Sequence, residues 1–353
     1  MLRISRHFID RVRACTQAAD LYEHLQAAIK LEHATIPPYL TAIYSIKPDR
    51  NRAVYEIIRS VVVEEMLHMV ISANVLNAIG GYPQVNRPGF ILTYPDSLPM
   101  NVGEGLIVGL APVSKAVIKD TFMRIEEPED PIDFPVKGQA LAAPEEEYAT
   151  IGQFYQAIID KIQELGCAIF TGDPSRQVVN EQWFPANELF PITGVETAVS
   201  GLTLIVEQGE GSPKSPVDPE GKLAHYYRFA QIYEGRRLVK DPSVPEGYSY
   251  SGAPIPLEAD GIWNLVENSK ASFYPVGTKA RRLVDQFNFS YTNLLNALHD
   301  TLNGQPDRLD TAMGVMYELK LQAQLMAEIE YQGKQVAPSF EYAPVNAPIP
   351  AVV

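Results

Sequence analysis

From Val54 to Gly80 the apolar residues recur at helical spacing: Val54, Ile58, Val61, Met69, Leu76 and Ile79, with Gly80-Gly81 as a stop signal. Glu65 and His68 fall inside this stripe rather than opposite it. Helix positions three apart lie about 60° apart around the axis, so both side chains point the same way. A carboxylate and an imidazole aimed into a core need a partner, because an unpaired buried charge is costly. A metal ion is one such partner.

The same reading gives the other elements. A helix from about Ala18 has Leu21, Leu25, Ala28 and Glu32 on one face, with His33 pointing about 100° away. Pro37-Pro38 predicts a kink or two abutting helices, ending near Lys47-Pro48-Asp49. A third helix is expected from Pro144 to Gly166, its stripe running Glu147, Ile151, Phe154, Ile158 and Ile162. A fourth runs from about Thr193 to Gly209, with Val195, Val199, Leu202 and Val206 beside a polar line of Glu196, Ser200, Thr203, Glu207 and Glu210. After a Gly/Pro interruption, helical pattern resumes at Leu223 with His225, Phe229 and Ile232 on one face.

The connections are long. Residues 82–144 are rich in Pro and Gly and contain one short amphipathic stretch, Ser114 to Ile125. A crossover of this kind between second and third helices is one solution for a four-helix bundle. The first sixteen residues read as a basic arm or short helix. Beyond a coil from Lys240 to Pro275, two antiparallel helices are expected, Thr278–Leu302 and Pro306–Tyr331, followed by an extended tail. The expected organisation is therefore an all-α bundle over residues 1–239, with a helical pair in 240–353 packed on it.

Single polar residues in apolar stripes are ambiguous. Glu32 could be an exposed helix acid, Glu147 a first-turn charge and His225 a histidine satisfied by a neighbour. Together they match a known arrangement: a carboxylate-bridged two-metal centre takes one Glu from each of two helices and a Glu-x-x-His from each of the other two. Here the candidate ligands are Glu32, Glu65, His68, Glu147, Glu207 and His225. Position 210 is Glu, so the fourth helix lacks its Glu-x-x-His, and His225 fills the role if the Gly/Pro stretch loops out and returns. Oxygen and imidazole donors suit iron or manganese better than copper(I).

Bulk properties narrow the picture. Of 353 residues, 46% are hydrophobic and 20% charged, as in a soluble globular protein. A net charge of -14 argues against nucleic acid and anionic membrane surfaces as partners. The only cysteines, Cys15 and Cys167, read as reduced thiols rather than ligands or a disulfide. The N-terminus has no uninterrupted apolar run and the Val61 region is broken by Glu64, Glu65 and His68, so a cytoplasmic location is expected. No nucleotide-binding, nucleophile-elbow or HExxH motif occurs.

The segments LEHATIPPYLTAIYSI, VVVEEMLHMVISANVLNAIGG and YATIGQFYQAI resemble the ferritin-like family that includes the ferritin-like part of violacein- and rebeccamycin-type imine dimer synthases. The likeness spans about residues 18–235. It implies a ferritin-like bundle holding two iron or manganese ions, with Glu32, Glu65 and His68 matching the motif best. It also implies oxidative chemistry with dioxygen or peroxide on a small aromatic or amino-acid-derived molecule. A homodimer and a partner biosynthetic enzyme are further expectations. Two alternatives stay open: an iron-binding or ferroxidase protein, and a metal-free assembly partner that keeps the fold.

Overall fold

The computed structural model describes residues 6–103, 105–128, 131–132, 134, 150–211 and 215–343. Its main helices are α1 (Arg6–Arg13), α2 (Ala18–Tyr44), α3 (Arg52–Ala78), α4 (Ile151–Leu165), α5 (Val195–Glu210), α6 (His225–Glu234), α7 (Lys279–Thr301) and α8 (Leu309–Ala327). Strand content among the described residues is confined to three two-stranded antiparallel ladders of two residues each.

Helices α2 and α3 pair along their length, α4 packs on α5, and α3 carries both α5 and α6 on its flank. Helix α2 runs on through Pro37-Pro38 as one element, so of the expected kink or split the split does not occur. A helical proline leaves the carbonyl four residues back without its donor. Behind Pro38 that carbonyl is Ala34, and the Tyr94 hydroxyl donates to it at 2.8 Å. The crossover thus supplies the donor that the proline lacks. Helix α3 ends where Gly80 takes a φ of +90°, a conformation that favours glycine, and Gly81 N–H returns to the Leu76 carbonyl.

Two other expectations shift. Helix α4 starts at Ile151, where the Thr150 hydroxyl accepts from Gln153 N–H, rather than at Pro144. Helix α5 buries Ala198, Gly201, Leu202, Ile205 and Gln208; of the expected line, Leu202 is buried and Val195, Val199 and Val206 are partly buried against the core. At Gly201 a Cβ would stand 3.0 Å from the Ile71 side chain, so α5 approaches α3 on its glycine side and that sets its rotation.

The crossover passes through a short helical stretch, Lys115–Val117, Ile118–Phe122 and Met123–Ile125, whose middle segment is a π turn. Ile118, Phe122 and Ile125 are its buried face, and the stretch packs on α6. Helices α7 and α8 share one hydrophobic core with the bundle, which includes Leu25, Ile58, Phe154, Phe287 and Leu319. Helix α3 is long and apolar enough to cross a membrane by length and composition, but 83% of its most apolar window is buried within the protein.

Candidate metal centre

The polar residues that interrupt the apolar stripes of α2 and α3 meet. Glu32, Glu65 and His68 are all buried, and one donor atom from each lies within 4.8 Å of the others. A second group joins the same Glu65 to Glu126 and His225 under the same limit. Glu65 is therefore common to two carboxylate-imidazole groups. His68 and His225 stack beside it, ring centroids 5.4 Å apart and planes 19° apart.

Both imidazoles turn Nδ1 toward the carboxylates. His68 Nδ1 lies 3.7 Å from Glu32 Oε2 and 3.9 Å from Glu65 Oε1. These separations are too long for hydrogen bonds. They are still shorter than two metal–ligand bonds of about 2.0–2.2 Å laid end to end. His225 Nδ1 lies 2.9 Å from Glu65 Oε1 and 3.3 Å from Glu126 Oε2. Each far nitrogen meets an acceptor: His68 Nε2 with Gln208 Oε1 at 2.9 Å, and His225 Nε2 with Glu64 Oε2 at 2.9 Å. An N–H donated outward leaves the inner nitrogen's lone pair free for a cation.

The carboxylates are held as carefully. The Thr35 hydroxyl donates to Glu65 Oε2 at 2.9 Å. Tyr155 donates to Glu32 Oε1 and Tyr39 to Glu126 Oε1. Burial, reinforced by the adjacent carboxylate, drives both phenols well above their ordinary range, so they remain donors. His225 is the first residue of α6, and the positive end of that helix faces Glu64, Glu65 and Glu126.

The electrostatics call for a cation. Burial and repulsion from Glu126 push the Glu65 carboxyl up to about 8, against the pull of His225. For His68 and His225, burial favours the neutral ring, but the nearby charges of Glu32 and Glu65 on one, and hydrogen bonds and charges from Glu126, Glu64 and Glu65 on the other, outweigh it and raise both. Without metal the cluster holds protons to offset its negative charge. With metal the ion takes their place. Three inward carboxylates and two inward Nδ1 atoms form a hard, mixed O/N donor set that could hold a metal ion.

The six expected ligands divide clearly. Glu32, Glu65, His68 and His225 come together. Glu147 lies outside the described residues. Glu207 is not in either group: the rotation of α5 that points Gln208 at His68 turns Glu207 about 100° away, where burial and nearby Asp218 raise its pKa. Glu210 lines a cavity shared with Glu32, Glu65, His68 and Glu126, and accepts from Gly152 N–H at 2.8 Å. Glu126 was not anticipated, although it continues the apolar stripe of Ile118 and Phe122 at helical spacing. The same rule picks out Glu32 and Glu65, but the sequence reading ends the stretch at Ile125, one residue short of Glu126, where the acid run Glu126-Glu127-Pro128-Glu129-Asp130 begins.

A helical bundle with a shared buried carboxylate between two imidazoles is an arrangement that could hold a metal ion. The ferritin-like family pattern matches residues 25–234, more than half the chain, and the chain belongs to that family. The crystal structure of a ferritin-like protein from Caulobacter vibrioides shares the fold, with a TM-score of 0.59 and 22% identity over 92% of this chain and 97% of that one. No curated protein matches the sequence significantly.

Proposed function

We propose that this chain is a dimetal-carboxylate oxidoreductase that uses dioxygen or peroxide to oxidise a small aromatic or amino-acid-derived molecule, in the manner of the imine dimer synthases. The observation that carries the reading is Glu65, one buried carboxylate shared between two groups that each add a glutamate and an Nδ1. A pair of redox-active ions held there would supply the electrons for reducing the oxidant. The protein's own residues bind, orient and keep water out. Glu32 with His68, and Glu126 with His225, would hold one ion each, and Thr35, Tyr39 and Tyr155 fix the carboxylate rotamers.

A cavity of about 40 Å³ adjoins the cluster, lined by Leu31, Ile125, Ile151, Ile205 and Val206 on its apolar side. A single water needs about 10–15 Å³ by this measure, so the space suits an oxidant of two or three heavy atoms. An aryl substrate needs the Ile125–Glu127 wall to move. That wall belongs to the crossover, whose role on this reading is to cover the site. A ferroxidase reading is favoured by one separate feature: Glu127 and Glu210 line the same cavity, and acids there attract a cationic substrate.

Elemental analysis after anaerobic loading with Fe(II) tests the reading, with two ions bound per chain as the expected result. Aerobic oxidation of aryl-amino-acid-derived substrates without net iron turnover supports the oxidase, and repeated Fe(II) turnover without an organic substrate supports the ferroxidase. Failure to bind any ion, or purification with a single zinc, overturns both. If Glu65→Gln and His68→Phe keep the function and gain stability, the chain is an assembly partner, because buried polar groups without a metal are a cost.

A further inference from the structure

The two halves of the centre differ in what stands behind the histidine. Behind His225 is a carboxylate, Glu64, at 2.9 Å from Nε2. Arg228 clamps that carboxylate from the other side, with Nη1 2.9 Å from the same Oε2. Arg228 is itself anchored, Nε to the Leu223 carbonyl at 2.5 Å and Nη1 to Ser60 Oγ at 3.3 Å. Behind His68 is a neutral amide, Gln208, whose Oε1 accepts at 2.9 Å. Gln208 Nε2 is buried and has no hydrogen-bond partner among the described residues, so nothing fixes the far end of that side chain.

A charged acceptor pulls harder on an imidazole N–H than an amide does, and it raises the donor strength of the opposite nitrogen. The carboxylate sets differ as well: the His225 half has Glu65 and Glu126 in front and Glu64, paired with Arg228, behind, whereas the His68 half has Glu32 and Glu65. Resting on the dimetal reading above, we propose that Glu64 is a positioning residue that makes the two metal positions unequal: the Glu65/Glu126/His225 position takes its ion first and more tightly, and the Glu32/Glu65/His68 position fills second. The adjacent pair Glu64-Glu65 therefore has two jobs one helical step apart. Glu65 faces the ions, and Glu64 reaches around to the back of His225.

Anaerobic titration of the metal-free full chain with Co(II), followed by calorimetry and by the visible cobalt spectrum, tests this. The wild-type chain is expected to bind two ions in two steps separated by tenfold or more. Glu64→Gln should weaken the first step by about 10–100-fold, the usual effect of losing an outer-shell partner, so that the steps merge while total binding stays at two. Gln208→Glu should tighten the second step. His225→Ala should abolish the tight step and His68→Ala the weak one. Two equal steps in the wild type, or removal of the tight step by His68→Ala, overturns the proposal and leaves the dimetal reading standing. So does a Glu64→Gln profile identical to wild type. No cobalt binding at all overturns the dimetal reading and the proposal with it.

Discussion

Neighbouring residues on α2 serve two regions that treat a buried histidine in opposite ways. Glu32 faces the carboxylate cluster, where His68 and His225 are both raised by their charged partners. His33, the next residue, faces the C-terminal pair and is just as buried. Its Nε2 meets the Tyr291 hydroxyl at 2.7 Å, Phe90 packs against its ring at 4.6 Å, and no partner among the described residues reaches Nδ1. Burial, with a minor push from Lys30, drives it down to about 3. Burial alone therefore says nothing about a histidine's role. What decides is whether the surrounding groups can exchange its proton for a cation.

The sharpest way to break this contrast is to exchange the two regions' expected sensitivities. Glu65→Ala removes the shared ligand, and metal affinity should fall by more than the roughly 100-fold upper range for outer-shell changes, with both ions lost in elemental analysis. His33→Phe should leave metal content untouched. Loss of metal in the His33 variant, or its retention in the Glu65 variant, collapses the distinction.

Acid–base behaviour gives the next largest effect, read in denaturant titrations of metal-free protein. The folded Glu65 carboxyl titrates near 8, against an ordinary 4.5 in the unfolded chain. Between those values the folded state holds the extra proton. The Glu65 contribution to stability is complete below 4.5 and is lost as pH rises through 8, with a slope on the order of 1 kcal/mol per pH unit. Glu65→Gln should lack that slope, and excess metal should reverse the advantage of the variant. His33 has the opposite sign. Its folded value near 3 lies below the ordinary 6.5, so its contribution is present above 6.5 and is lost as pH falls toward 3. His33→Phe should remove that acid loss and leave the alkaline one.

The smallest effect is local. Tyr291→Phe takes away the hydrogen bond that His33 Nε2 makes, and chemical denaturation should show a cost of about 1–3 kcal/mol for leaving a buried polar ring unpaired. Cobalt titration of the same variant should match wild type. A change in metal affinity would show that the two faces of α2 are coupled.

Much of this was legible in the chain, and the limits are physical. The stripes located α2, α3 and α6 and exposed Glu32, Glu65, His68 and His225, because a polar residue in phase with a core is visible in one dimension. Pro37-Pro38 left a split of α2 open because the missing donor comes from Tyr94, a residue remote in sequence. Glu207 misled because the rotation of α5 is set by the contact of Gly201 with Ile71, which no pattern within α5 records. Gln208 and Glu64 act behind the histidines, and a residue that orients a ligand has no periodicity of its own.

The order in which the ligands occur along the chain has a kinetic consequence. Glu32, Glu65 and His68 sit on a hairpin of two helices joined by a short link, whereas Glu126 and His225 arrive only after long excursions. Local contacts close quickly and distant ones wait on loop closure. On this reasoning the first three-donor group is assembled early in folding and the second closes after it. Pulsed hydrogen exchange during refolding should show α2 and α3 protected before α6. Simultaneous protection of all three would mean that the site is built in one concerted step.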